Sequence, residues 1–67
     1  SLPLQDKFLL PLSVLEKAKN IALKAGTGWD IYAIEQQFYE FARKKGKPEN
    51  PEGAFINFVR KKVKKRP

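Results

Sequence analysis

The sequence has no cysteine and no histidine. Without cysteine there is no disulfide, no thiolate metal site and no thiol nucleophile. Without histidine the commonest general base and the commonest metal ligand are missing. A zinc site would have to be assembled from carboxylates, and no metal or cofactor is expected. Methionine is also absent and the first residue is Ser1. The chain is therefore read as a piece excised from a longer protein, with Ser1 as a cloning remnant. No apolar run approaches the roughly 20 residues that span a bilayer, and no secretory signal is read. No membrane partner is expected, and a cytoplasmic location is.

The same shortages argue against catalysis. Glu35 and Glu40 stand five positions apart on one helix and diverge. Without histidine or cysteine, a nucleophile–base pair would need lysine. Gly26-Thr27-Gly28 is too short for a phosphate-binding loop and no strand precedes it, so it reads as a turn. The chain is not expected to be an enzyme by itself.

Acidic residues are scarce too, 7 against 14 Lys and Arg, for a net charge of +7. The imbalance is local. Residues 1–42 carry four Lys and five acids, net −1; residues 43–67 carry ten Lys or Arg and two acids, net +8. A one-sided basic region attracts polyanions. The competing reading is a solvated tail that keeps a small domain soluble.

With 67 residues the chain is one domain at most, and its small core must depend on close helix packing or on a partner. Residues 1–12 hold Pro3 and Pro11 among Leu2, Leu4, Phe8, Leu9 and Leu10. This reads as an apolar arm, docked on the helices with a short turn at Gln5 to Leu10, or as part of an interface with the parent protein. Residues 13–66 then form an all-α three-helix bundle with a basic C-terminal tail.

The first helix is predicted over 13–25, opened by Ser13-Val14-Leu15-Glu16 as a capping box and closed by Gly26. Its apolar face is Val14, Leu15, Ala18, Ile21, Ala22 and Ala25; Leu23 lies off that stripe. The second runs over 30–45 with Asp30 as N-cap. Ile31, Ile34, Phe38, Phe41 and Ala42 form its core stripe, Trp29 packs back as a staple, and Glu40 and Lys44 are placed to pair. Gly46 ends it. The third spans 51–65, with Asn50 as cap, Pro51 in the first position and Glu52 in the first turn. Phe55, Phe58, Val59 and Val63 face inward, with Ile56 on the flank and Lys62 snorkelling from the same stripe. The expected core is Val14, Ile21, Ile31, Ile34, Phe38, Phe41, Phe55, Phe58 and Val59, with Trp29 at the rim.

Two basic blocks follow: Arg43-Lys44-Lys45-Gly46-Lys47 and Arg60 to Arg66. If the second and third helices are antiparallel, the blocks begin at opposite ends of the third helix, whose polar face can track a phosphate backbone. The candidate nucleic-acid contacts are Arg43, Lys44, Lys47, Arg60, Lys61, Lys64 and Lys65. Base reading is not expected, because the third helix starts with Pro51-Glu52-Gly53, which lacks donors. Tyr32, Gln36, Tyr39 and Arg43 form a second stripe beside the core. It is either a half-buried boundary or a contact for a partner protein through Tyr32, Gln36 and Tyr39. A nuclear import signal and a membrane-surface helix are weaker readings of the basic end.

Gly28-Trp29-Asp30-Ile31-Tyr32, the amphipathic helix after it, Asn50-Pro51-Glu52 and Ala54-Phe55-Ile56-Asn57-Phe58 follow in order. Together, Gly28 to Val63 resembles a C-terminal helical segment of bacterial plasmid replication-initiator proteins and of mobilisation proteins. The resemblance covers about half of the chain. It implies a cytoplasmic bacterial parent that works on plasmid DNA, with this segment touching either DNA or a protein of the replication machinery.

Overall fold

Three periodic apolar stripes separated by glycine and proline punctuation give three helices: α1 (Leu12–Ala25), α2 (Ile31–Lys45) and α3 (Pro51–Lys62). The computed structural model describes residues 10–67. The expectations for Leu2, Leu4, Phe8, Leu9 and the turn from Gln5 lie outside the described residues. The protein is an all-α three-helix bundle, and no strand occurs among the described residues.

The helix boundaries follow from local chemistry. At the start of α2, Asp30 accepts from the backbone N–H of Tyr32, and at the start of α3 the Asn50 side chain accepts from Gly53, each satisfying an orphan amide. Pro51 occupies the first turn of α3, where its missing N–H costs nothing. Gly26 closes α1 at φ 67° and ψ 22°, with its N–H on the Ala22 carbonyl, a left-handed conformation that glycine adopts without penalty. Gly46 ends α2 at φ 95°.

The start of α1 corrects the sequence reading. Ser13 is not its cap. The helix begins at Leu12 behind Pro11, and no side chain caps it. The Pro11 carbonyl already accepts from Val14 and Leu15, which places Ser13 inside the first turn. The end of α3 also differs: the helix stops at Lys62, with Val63 as its C-cap, rather than running to 65.

The core is centred on Phe38, whose ring meets Phe55 edge-on at 5.2 Å and Phe58 at 5.4 Å. Ile34, Phe38, Phe55 and Val59 are the largest fully buried side chains. Burial of each such side chain is worth about 1.5–3 kcal/mol. From α1 the buried residues are Ala18 and Ala22. Small side chains there let α1 approach closely, and it packs chiefly on α3. Leu10, Ile31 and Val63 complete the buried cluster, and Ala42 is buried as well.

The expected core needs correcting at its edges. Phe41 is 48% exposed. Val14, Ile21 and Phe58 are partly buried and pack against the cluster from outside. Ala25 is exposed, and Leu23 is 68% exposed.

Candidate nucleic-acid interface

The last turn of α2 carries Arg43, Lys44 and Lys45, and the last turn of α3 carries Arg60, Lys61 and Lys62. Cations in these positions complement the negative end of each helix dipole. That local stability is one reason for their placement. A second effect follows from geometry. The short Gly46–Asn50 loop turns the chain back, and α3, about 18 Å long at 1.5 Å per residue, returns so that its end meets Thr27 and Trp29 just before α2.

All seven candidate contacts, Arg43, Lys44, Lys47, Arg60, Lys61, Lys64 and Lys65, are exposed. Lys61 lines the groove between α2 and α3, which Gly46 and Pro48 also line. Lys64 follows Arg60 and Lys61 by four and three positions, which makes the three neighbours on one helical surface as far as the chain keeps helical turns. Lys64 and Lys65 lie past the end of α3, next to the α1–α2 turn. The arrangement is two basic groups, one at the end of α2 and in the loop after it, the other at the end of α3 and just past it. Among the described residues, the charged groups of Arg43, Lys44, Arg60, Lys61, Lys64 and Lys65 form no ion pair. The Glu40–Lys44 pairing suggested by spacing is not made. Among the described residues, these six charges are therefore not neutralised by direct contact with a carboxylate.

The α1–α2 turn holds the second of these groups. The Thr27 hydroxyl donates to the Val63 carbonyl at 2.8 Å, and the Trp29 indole N–H donates to the Lys65 carbonyl at 2.6 Å. Lys62 Nζ lies 5.8 Å from the Trp29 ring centre and 5.4 Å from that of Phe58, so its stem is partly buried while its charge rests on two aromatic faces. Gly26-Thr27-Gly28 is a turn that clasps α3.

The tyrosine stripe divides. Tyr32 is 59% exposed, and Gln36 and Arg43 are exposed beside it. Tyr39 is partly buried, with its hydroxyl donating to Glu35 Oε2 at 2.9 Å and accepting from the Leu10 N–H at 3.3 Å. Burial, foremost, raises its pKa above the ordinary tyrosine value; the Leu10 amide opposes this and Glu35 adds to it. Tyr39 ties the start of the described chain to α2.

One feature escaped the sequence reading: a mostly apolar groove between α2 and α3, lined by Phe41, Phe58, Pro48, Ala54, Asn57 and Lys61, among others. Phe41 stands at the edge of its helix's apolar arc, and that position was the available signal. Among the described residues no three His, Cys, Asp or Glu side chains gather as a metal would require, and no helix is long and apolar enough to cross a membrane. Compared with family models, curated proteins and solved structures, the chain has no significant match.

Proposed function

We propose that this domain is an accessory nucleic-acid-binding module of a plasmid replication or mobilisation protein, holding DNA by its phosphate backbone with little regard to sequence. The observation that carries the reading is the six exposed cations at the ends of α2 and α3, Arg43, Lys44, Arg60, Lys61, Lys64 and Lys65, which form no ion pair among the described residues. Each cation that neutralises a phosphate releases counterions, which drives binding and makes it salt-dependent. Base reading has no support at the start of α3, where Glu52 is exposed and the Asn50 side chain is occupied as a cap. The plasmid context rests on the resemblance of Gly28 to Val63. On this reading the domain is a cytoplasmic binding module without catalytic residues or cofactor.

A salt titration of binding to short labelled DNA of random sequence tests the proposal. Affinity should fall linearly on logarithmic axes. For duplex DNA, Lys61→Glu with Lys64→Glu should make the slope shallower by about 1.8, the value for two lost phosphate contacts. Absence of binding at low salt would mean that the lysines serve solubility.

The exposed ring of Tyr32 beside Gln36 favours a second reading, contact with a replication protein or with the rest of the parent chain. Co-sedimentation with the parent's remaining part, unchanged by Tyr32→Ala, would remove that face from consideration.

A further inference from the structure

Phosphate binding leaves the groove between α2 and α3 without a role. Phe41 forms one side of it, with 48% of its surface exposed and its ring tilted on Phe58 at 5.9 Å between centres. Pro48 and Ala54 add apolar wall, while the exposed Asn57 and Lys61 form a polar edge. Lys44 and Lys45 follow Phe41 by three and four positions, and so stand next to it on the helix surface. An exposed aromatic ring thus lies next to cations, of which Lys44 and Lys61 are candidate phosphate contacts.

The dimensions select the occupant. The groove measures about 190 Å³ and is open to solvent, below the roughly 300–1,000 Å³ typical of small-molecule sites. A docked peptide helix needs several anchor pockets spread over two turns. A single flat ring needs one aromatic face, and the neighbouring cations suit phosphates on either side of it. Base–aromatic stacking beside a positive track is the usual device for holding unpaired strands.

We infer that Phe41 is a stacking platform for an unpaired nucleobase, with Asn57 at the base edge and Lys44 and Lys61 on the flanking phosphates, so that the domain prefers single-stranded nucleic acid. This rests on the phosphate-binding reading above. A duplex base is already stacked on its neighbours and reaches Phe41 only after extrusion, at a cost of a few kcal/mol.

The test compares single-stranded and duplex oligonucleotides of the same sequence, bound to the full chain and to two variants. The wild type should favour the single strand. Phe41→Leu keeps an apolar side chain at a half-exposed position but removes the ring, and should lower the single-strand to duplex affinity ratio about tenfold, within the span measured for one stacked base. Phe41→Trp should keep the ratio and show fluorescence quenching beyond that of Trp29 when single strand is added. An unchanged ratio in Phe41→Leu, with both DNA forms still bound in a salt-dependent way, overturns the stacking platform and leaves phosphate binding standing. No binding of either form at low salt overturns both. Saturable binding of an acidic, leucine-rich helical peptide that Phe41→Leu abolishes, without oligonucleotide binding, would give the groove to a protein partner instead.

Discussion

The indole N–H of Trp29 and the carbonyl of Lys65 meet at 2.6 Å across 36 positions of sequence. With Thr27 on Val63, this bond satisfies carbonyls that the end of α3 would otherwise leave open. Trp29→Phe keeps a ring for Lys62 but removes the donor, and should cost about 1 kcal/mol. Trp29→Ala loses the packing as well and should cost about 3 kcal/mol, the low end for aromatic truncation because the ring is half-buried. Urea unfolding followed by circular dichroism measures both. Equal stability of the wild type and Trp29→Phe would show that the bond contributes nothing.

Ala18 is fully buried where α1 approaches its neighbours. Ala18→Leu should destabilise the bundle by about 1–3 kcal/mol through overpacking. Leu23→Ala, on the exposed side of the same helix, should stay within about 0.5 kcal/mol of the wild type. Thermal melts of the two variants check the contrast, which reverses the usual expectation that the larger apolar residue matters more.

The caps are unequal. Asp30→Ala and Asn50→Ala should each cost about 1 kcal/mol, since both side chains accept a backbone amide. Ser13→Ala should leave stability nearly unchanged, because Ser13 lies within the first turn and caps nothing. A loss for Ser13→Ala equal to that for Asn50→Ala would contradict the observed start of α1.

Tyr39 predicts a response to alkali. Its folded-state pKa is raised, chiefly by burial, so the unfolded chain releases this proton first, near pH 10. The contribution is complete below that pH and is lost as pH rises through the folded-state pKa. Urea midpoints taken between about pH 9 and pH 11 should fall less steeply for Tyr39→Phe than for the wild type. Parallel curves would mean that the phenol does not couple to folding.

The helices were legible because their signals are local. Asp30, Asn50, Pro51 and Gly26 act on amides and carbonyls within a few residues, so the sequence displays both the cause and the effect. Phe41 was not legible. It lies only 20° outside Ile34 on the α2 wheel, at 100° per residue, yet Ile34 is fully buried and Phe41 half-exposed. The difference depends on how the loop with Gly46 and Pro48 leaves the α2–α3 groove open, which is a tertiary property. Tyr39 was legible as a boundary residue, but its bond to the Leu10 amide joins segments 29 positions apart. Among the candidate phosphate contacts, exposure was evident from the pattern. The placing of the end of α3 against Thr27 and Trp29 is tertiary, and no local signal displays it.

All the largest fully buried side chains belong to α2 and α3, while α1 buries only alanines. This has a consequence for the nascent chain. As the polypeptide leaves the ribosome, α1 and α2 emerge first, and Phe38 has neither Phe55 nor Phe58 to pack against. Ile34 and Phe38 stay open to water, and to chaperones, until residues 55–63 are clear of the exit tunnel. Folding therefore waits for α3, and a chain stopped at Gly46 should remain unfolded.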